Sequence, residues 1–382
     1  MKQLNSALVE LIRARIQESG PVSFAWFMEQ ALYHPRHGYY ASGKAKLGRH
    51  GDFFTNVSVG GVFGKLMAVQ FAEMWQRLGQ PDEFTIVEQG AHGGQFAGDV
   101  LNALAETFPG CFRSVRYRIV EPFEPLQNQQ RLALGCFGQK VQWCSDLAAL
   151  EPFIGAHFSN ELLDAMAFYI VRRRPQGPGS DDWAEKLVEW KDDGFTFVDG
   201  PITDDRLRRQ LERLVDVPPE TELEVSLGVL DWLSAVASKL RRGYVVAVDY
   251  GYVNDDLHAP QHRSGTAQVR ANHRVLNSPF EAVGDSDITA HVHWTALAAH
   301  AQDQGLQISG FADQHHFLTG IISSFPDMIA TTDPSGRRQL QTLLHPEMMG
   351  RAFQVLGLSR GLSGSDGLSG FNFARPAFQP AA

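Results

Sequence analysis

Acidic residues recur at the ends of the predicted strands of this 382-residue chain. In a sheet of parallel strands, a ligand lies outside the carboxyl ends of the strands, where side chains at those ends can reach it. Carboxylates there accept hydrogen bonds from hydroxyl and amino groups and attract cations, but they repel pyrophosphate. Any one of them can also be a helix cap, whereas five strand ends in succession favour a ligand site. The residues are Glu88, Glu121, Asp146, Glu161 with Asp164, and Asp249.

Two of these carboxylates lie at strand ends where they could bind an adenosine. Glu121 ends the second predicted strand and can accept both ribose hydroxyls, while Asp146 follows the third strand and can accept the adenine amino group. The acidic rim also suits a cationic sulfur. The pattern therefore favours S-adenosylmethionine over a cofactor that carries pyrophosphate.

A glycine-rich turn joins the first of these strands to a helix in the stretch "TIVEQGAHGGQFAGDVL". Gly90, Gly93 and Gly94 permit a sharp turn and let a ligand approach the backbone. The free N–H groups at the start of the helix favour a carboxylate or phosphate. His92 occupies a position that the dinucleotide fingerprint gives to glycine, so that fingerprint is not matched. A purely structural turn is the alternative interpretation.

The elements that must position these residues alternate between strand and helix. Apolar strands are predicted in "TIVE", "VRYRIVEP", "QKVQWCSD" and "FIGAHFSN", with helices between the first three, and "GYVVAVDYG" supplies a further strand. This alternation predicts an α/β fold, a doubly wound and mostly parallel Rossmann-like sheet. The late segment "DITAHVHWTALAAHAQDQGLQISG" is predicted as strand, helix and strand that complete the sheet.

The long gap before "GYVVAVDYG" predicts an insertion. Two alternating runs flank Asp193-Gly194, which indicates a β-hairpin, and a helix then begins at Ser226 as N-cap and stops at Gly243. Beyond Gly357 the composition predicts an irregular tail. We predict an N-terminal helical lid region at 1–80 and a cofactor-binding core formed by 81–165 and 226–356. An appendage is inserted at 166–225, and a tail follows at 357–382.

Composition excludes several classes of function. A net charge of −9 argues against nucleic acid as a partner, and no apolar run reaches the roughly 18 residues of a membrane span. Three cysteines without metal or redox spacing indicate a reducing compartment. The first 20 residues read as a packed amphipathic helix, with no signal or transit peptide, so we expect a cytoplasmic protein.

At these residues the sequence resembles the class I S-adenosylmethionine-dependent methyltransferases, and more closely the MidA-type family. The resemblance rests on the blocks "ALYHPRHGYY", "GDFFT", "VEQGAHGG", "IVEP", "SNELLDAM", "VDYG", "DITAHV" and "MMGRAFQVL", which span nearly the whole chain. It implies a lid at the cofactor and an acceptor pocket lined by Asn160, Glu161 and Asp164. The lid residues it implies are Gly48, Gly51, Asp52, Phe53 and Thr55. The cofactor-binding residues we predict are Gly51, Asp52, Phe53, Thr55, Glu88, Gly90, His92, Gly94, Glu121, Asp146 and Asn160.

Two departures from the family pattern bear on activity. The family's loop usually reads G-P-G-x-G, so Ala91 and His92 replace its proline and central glycine. A side chain then stands where the methionine moiety of the cofactor approaches bare backbone. After "GDFFT" the family usually has Ser-Pro-Glu, whereas this chain has Asn56-Val57-Ser58 and lacks that carboxylate.

The resemblance implies methyl transfer to a protein nitrogen, an arginine, with Glu161 and Asp164 orienting the guanidinium and helping to remove its proton. In the alternative interpretation these two carboxylates cap a helix after the fourth strand. Two alternative functions remain: methylation of a small-molecule hydroxyl or amine, and a cofactor-binding assembly factor with little activity. The sequence does not decide whether the chain forms a homodimer.

Two pairs of histidines are candidates for metal ligands: His291 with His293, and His315 with His316. They lack the partners that a metal site needs, so no metal is predicted.

Overall fold

A computed structural model gives the fold and describes residues 6–41, 56–175, 182–214, 217–257, 259–271, 274–327, 333–362, 367–376 and 378. The α-helices are α1 Ser6–Ser19, α2 Phe24–Tyr33, α3 Asn56–Val59, α4 Val62–Arg77, α5 Gln95–Thr107, α6 Pro109–Ser114, α7 Glu124–Leu134, α8 Asp205–Leu211, α9 Leu227–Lys239, α10 Asn254–Leu257, α11 Trp294–Asp303, α12 Gln314–Ser324 and α13 Pro334–Leu344. The strands are β1 Val22–Ser23, β2 Phe84–Gln89, β3 Val115–Val120, β4 Val141–Cys144, β5 Phe153–Asn160, β6 Tyr169–Arg173, β7 Trp183–Lys191, β8 Gly194–Gly200, β9 Glu222–Val225, β10 Leu240–Tyr252, β11 Gln268–Ala271, β12 Arg274–Leu276, β13 Asp287–Thr289, β14 Val292–His293, β15 Gln307–Asp313 and β16 Phe353–Arg360.

The chain divides into two compact units. The core unit takes 54–163, 232–251 and 294–382, and the accessory unit takes 1–53, 164–231 and 252–293. These boundaries differ from the predicted domains. Helix α4 falls in the core unit because its apolar face packs against α5.

The core unit contains the predicted doubly wound sheet. Its strand order is β15-β16-β10-β5-β2-β3-β4, and β10, β5, β2, β3 and β4 all run parallel. Strands of a parallel sheet are buried on both faces, which is why they read as nearly continuous apolar runs. The carboxyl ends of β2, β3, β4 and β5 therefore lie at one edge, where the predicted acidic residues follow.

Aromatic packing fixes α5 against the sheet. The Phe96 ring of α5 stacks on the Phe158 ring of β5, with centroids 4.5 Å apart and planes at 13°. Phe63 of α4 packs on both rings. Because all three side chains are at most 2% exposed, the start of α5 and the loop before it are held firmly relative to β5.

The C-terminal segment is part of the sheet, and the predicted tail boundary at Gly357 was wrong. Strand β16 continues through Gly357 to Arg360 and pairs antiparallel with both β10 and β15. Leu368 and Phe371 beyond it are also buried. Glycine and serine suggested a tail here, but tertiary pairing with two neighbouring strands overrides that local preference.

The predicted helix stop at Gly243 was also wrong. Helix α9 begins after Ser226, whose hydroxyl accepts a hydrogen bond from the Val229 N–H, but it ends at Lys239. Gly243 lies inside β10 with φ 139°, where a Cβ would sit 1.9 Å from the carbonyl oxygen of Gly155 on β5. Glycine is therefore required by the close approach of two strands.

The accessory unit contains two small sheets. One has the order β1-β7-β6-β9 with β8 on β7, and the other has the order β12-β11-β13. The predicted hairpin forms from β7 and β8, but its two turn residues are Asp192 and Asp193, one position earlier than predicted. Both have positive φ, as a type I′ turn requires. Of the late segment, β13 joins the small sheet by pairing with β11, whereas β15 pairs with β16 in the core sheet.

Candidate active site

The glycine loop turns sharply between β2 and α5. Gly90 and Gly94 both have φ 83°. Gly94 occupies the N-cap position of α5, so no side chain there caps the helix. The Gly94 N–H donates to the Ala91 carbonyl at 2.8 Å. His92 adopts φ 44°, a region that L side chains rarely occupy. The first N–H groups of α5, which have no acceptor within the helix, therefore follow directly after this turn, as in loops that bind a carboxylate or phosphate.

Glu121 holds a fixed carboxylate directly after β3. One oxygen accepts from the Phe123 N–H at 3.0 Å, and the other accepts from the Gln130 amide at 3.2 Å. Burial raises the pKa of this 4% exposed carboxyl, and the two hydrogen bonds oppose the increase. A carboxylate has about four acceptor positions, so Glu121 can still accept two hydroxyl groups.

Glu88 is buried below the glycine loop. Its carboxylate accepts a hydrogen bond from the Tyr117 hydroxyl at 2.7 Å, and burial raises its pKa to about 7. A carboxyl group with this pKa is partly protonated at neutral pH. Glu88 therefore carries less negative charge towards the site than its position in the sequence suggested.

Asp146 is fully exposed and caps the turn after β4. It accepts from the Ala149 N–H at 2.8 Å and from the Ser145 hydroxyl at 2.9 Å, bonds that lower its pKa. Asp146 therefore does cap the turn after β4, as the alternative interpretation of the acidic residues expected. This capping leaves the carboxylate ionised and able to accept a further donor.

Three polar side chains form a network at the end of β5. The Asn160 amide donates to Glu161 Oε1 at 2.8 Å, while Asn160 Oδ1 accepts from the Asn56 amide at 2.9 Å. The Asn56 N–H also donates to Glu161 Oε1, at 3.3 Å. Sequence reasoning selected Asn160 and Glu161, but it gave Asn56 no role in the site, because nothing local joins residues this far apart in sequence.

The backbone at Glu161 is held in an uncommon conformation. Glu161 has φ 52°, and its N–H donates to the Val248 carbonyl of β10 at 2.9 Å. Asp249, 1% exposed at the end of β10, accepts from the N–H groups of Leu162 and Leu163 at 3.1 and 2.8 Å. Asp249 therefore fixes the turn that presents Glu161. No helix begins at Glu161 in the described chain, which contradicts the helix-cap alternative.

Burial raises the pKa of Glu161 to about 8, and the neighbouring Asp249 charge acts in the same direction. Its hydrogen bonds from Asn160 and Asn56 oppose the shift. Before a cationic partner arrives, Glu161 is thus mostly protonated at neutral pH. A cation placed beside it favours the ionised form.

This pKa predicts how stability should depend on pH. Between the ordinary value of 4.5 and about 8 the folded state binds more protons than the unfolded state, so stability falls as pH rises through that window. The slope is at most about 1.4 kcal/mol per pH unit, since some solvent reaches the side chain. Glu161→Gln cannot ionise. We expect urea unfolding to show a stability difference that favours the variant progressively from pH 5 to pH 8.5. An equal difference at both pH values would contradict the assignment.

A second polar cluster lies in the accessory unit, around Asp164. The Tyr33 hydroxyl donates to the Ala165 carbonyl at 2.9 Å, and the Tyr40 hydroxyl donates to Asp287 Oδ1 at 2.8 Å. The rings of Tyr33 and Tyr40 stack with centroids 5.4 Å apart. Burial, and then the charges of Asp287 and Asp164, raise the pKa of both tyrosines. This cluster unites parts of three sequence blocks: "ALYHPRHGYY", "SNELLDAM" and "DITAHV".

All five predicted lid residues lie outside the described residues: Gly48, Gly51, Asp52, Phe53 and Thr55. Within the described ranges, no group of three or more His, Cys, Asp or Glu side chains is placed to hold a metal ion. His293 bonds to Asn254 at 2.5 Å, and His315 bonds to the Leu344 carbonyl at 2.8 Å.

The core-unit site fits an adenosine cofactor with a cationic methionine portion. Asn56 Oδ1 is buried and has no hydrogen-bond partner in the chain as described, so it can accept from an ammonium group. At Gly90 an added Cβ would make ordinary van der Waals contact with Leu162 at 3.5 Å, so it is the φ of 83° that favours glycine there.

Comparison with known proteins agrees with this geometry. A family model described as S-adenosyl-L-methionine-dependent methyltransferase matches residues 66–312. Among curated proteins, the mitochondrial protein arginine methyltransferase NDUFAF7 of Danio rerio is 25% identical and the alignment covers 93% of this chain and 87% of that protein. The Bos taurus protein of the same name is 28% identical, with 90% and 81% covered.

A crystal structure from Burkholderia thailandensis, with S-adenosyl-homocysteine bound, superposes with a TM-score of 0.85. It is 29% identical and the match covers 97% of this chain and 95% of that one. No helix in the described ranges is both long and apolar enough to cross a membrane.

Proposed function

Because the chain belongs to this family of S-adenosyl-L-methionine-dependent methyltransferases, we propose that its methyl acceptor is an arginine side chain of a protein. The observation that carries the proposal is the Asn56, Asn160 and Glu161 network, which presents a carboxyl group from a fixed turn. Relatives named as protein arginine methyltransferases support the same acceptor.

For the cofactor, we propose that Glu121 accepts the two ribose hydroxyls and that Asp146 accepts the adenine amino group. The loop from Gly90 to Gly94 then lies against the methionine portion, with Asn56 Oδ1 available to its ammonium group. S-adenosylmethionine supplies a methyl group already activated on a cationic sulfur. The chain therefore needs no nucleophile of its own and contributes mainly alignment and electrostatics.

For the acceptor, we propose that Glu161 orients the guanidinium through charge-assisted hydrogen bonds, while the role of Asp164 stays a prediction from the sequence. Asn160 fixes the Glu161 carboxylate through its amide. A guanidinium cation beside Glu161 favours its ionised form. Methyl transfer to the acceptor nitrogen would break the bond between the methyl carbon and sulfur and leave S-adenosylhomocysteine, and Glu161 would take the proton that this nitrogen loses.

The direct experiment traces isotope-labelled S-adenosylmethionine in an extract of the host. Label on protein arginine that survives mild base supports the proposal. Label confined to small molecules would replace it with the first alternative, a small-molecule hydroxyl or amine acceptor. Tight cofactor binding with no label in extract or on purified candidate proteins would favour an assembly factor with little activity.

We also propose the cytoplasm as the location of this protein, although the curated relatives are named as mitochondrial.

His92 should limit cofactor affinity through its bulk. Its ring occupies a turn that the family usually leaves to glycine, and its φ of 44° suits glycine better. We expect His92→Gly to bind S-adenosylmethionine about 2- to 10-fold more tightly, which corresponds to roughly 0.4–1.4 kcal/mol. Isothermal titration at pH 6 and pH 8 measures it. Weaker binding at both pH values would show that the imidazole itself contacts the cofactor.

A further inference from the structure

Gln130 is a fully buried residue of α7 whose side-chain amide joins three parts of the cofactor site. Its Nε2 group donates to the His92 carbonyl at 2.7 Å and to Glu121 Oε2 at 3.2 Å. Its Oε1 atom accepts from the Trp143 indole N–H at 2.9 Å. One amide therefore connects the glycine loop, the end of β3 and the end of β4.

The chemistry of these contacts requires an amide. Both acceptors of Nε2 lack protons to donate, and the donor to Oε1 is an N–H group, so the two ends of the side chain cannot be exchanged. Glutamate would place a second carboxylate against Glu121, and an apolar residue would leave buried oxygen atoms without donors. A glutamine that merely filled space under α7 would not need this pattern.

The contact also acts on the carboxylate itself. Burial makes ionisation of Glu121 unfavourable, and the hydrogen bond from Gln130 is one of two that oppose this. The other comes from the backbone N–H of Phe123. Gln130 is thus the side chain that both stabilises the charge of Glu121 and sets the direction of Oε2.

We propose that Gln130 is a positioning residue for cofactor binding, which aligns the Glu121 carboxylate and the His92 carbonyl so that ribose and methionine portions are bound together. This inference rests on the proposed role of Glu121 towards the ribose. Gln130 does not contact the reacting atoms. Its effect should appear in cofactor affinity and in the dependence of that affinity on pH.

The test is Gln130→Glu in the full chain, titrated with S-adenosylhomocysteine at pH 5.5 and pH 8.5. When protonated, the introduced carboxyl group can donate to Glu121 and accept from Trp143, whereas its ionised form repels Glu121. We expect affinity at least roughly tenfold below wild type at pH 8.5, the size expected for a lost hydrogen bond to a charged group, and within about threefold at pH 5.5. Equal ratios to wild type at both pH values would overturn the proposal.

A double variant identifies the partner. Glu121→Gln combined with Gln130→Glu removes the repulsion, so its affinity should lose the additional dependence on pH. Persistence of that dependence would overturn a mechanism through Glu121. Gln130→Met keeps the volume and should weaken binding at both pH values, which provides a second route if Gln130→Glu does not fold. Wild-type affinity in a folded Gln130→Met would also overturn the proposal.

Gln314→Glu is the matched control. Gln314 is also a fully buried glutamine of the core unit, and its amide donates to the Leu343 carbonyl at 3.1 Å. Gln314→Glu should change the stability of the chain. Its affinity for S-adenosylhomocysteine relative to wild type should be the same at pH 5.5 and pH 8.5. If Glu121→Ala binds as wild type, both the ribose assignment and this inference fall. If Glu121→Ala binds weakly while Gln130→Glu shows no effect of pH, only this inference falls.

Discussion

Glu161→Gln should lower the catalytic constant by a factor of roughly 100 or more while leaving cofactor affinity within about twofold of wild type. The swap preserves the volume of the side chain but removes the group proposed to orient the acceptor and take its proton, and such groups typically contribute 10²- to 10⁴-fold. An interaction made in the transition state lowers turnover without changing ground-state binding of the cofactor. Methyl transfer to the identified acceptor, with titration by S-adenosylhomocysteine, measures both quantities.

The dependence of kcat/KM on pH, compared between the wild-type chain and Glu161→Gln, gives a second measurement. Because the Glu161 pKa is raised to about 8, the ionised fraction in the free enzyme grows as pH rises towards and past that value. The wild-type kcat/KM for the acceptor should therefore rise with pH through about 8, and the residual activity of Glu161→Gln should not. A variant that retains the wild-type profile would remove Glu161 from the mechanism.

Glu185→Gln is the control for neutralising a buried carboxyl. Glu185 is fully buried in β7 and accepts from the backbone N–H and hydroxyl of Thr203, both at 2.8 Å. Burial raises its pKa as well. The control should leave turnover within about twofold of wild type. An equal loss of turnover in Glu161→Gln and Glu185→Gln would mean that neutralising any buried carboxyl group lowers turnover.

Glu121→Ala should weaken binding of S-adenosylhomocysteine by roughly 30- to 150-fold. Alanine removes a carboxylate proposed to accept two ribose hydroxyls, and hydrogen bonds to a charged group of this kind contribute about 2–3 kcal/mol. Isothermal titration of the purified chain measures the dissociation constant directly. The substitution also removes the acceptor of the Phe123 N–H and one of the two acceptors of Gln130 Nε2, which keeps its bond to the His92 carbonyl.

Glu124→Ala separates this effect from a general loss of negative charge near α7. Glu124 is an exposed acidic residue in the first turn of the helix. Its removal should cost about 0.3–1 kcal/mol of stability through the helix dipole, without changing affinity. A dissociation constant for Glu121→Ala within twofold of wild type would rule out the ribose assignment.

Local patterns were sufficient to predict the strands and helices around the site. Apolar runs and helical spacing identified β2, β3, β4, β5 and β10, and the alternation of elements predicted the doubly wound sheet. The acidic strand ends followed from the same reasoning, since side chains at the carboxyl ends of parallel strands meet at one edge. These features depend on residues close together in sequence, where spacing and composition carry the information.

Position in the sequence did not reveal what each carboxylate does. Glu88 is bonded to Tyr117, Asp146 caps its own turn, and Asp249 holds the turn after β5. These roles depend on which donors the fold brings within hydrogen-bond distance. The pKa values of Glu88 and Glu161 likewise follow from burial, which only the packed structure determines.

Long-range pairing decided the remaining features. Asn56 meets Asn160, Gln130 joins Glu121 to His92, and Gly243 fits a close approach between β10 and β5. Strand β16 enters between β10 and β15 although its glycines and serines suggested a tail. The sequence by itself determined the elements and the chemical types available at the sheet edge. The tertiary structure decided their partners and protonation, because hydrogen bonds and desolvation depend on distances between residues that are far apart in the chain.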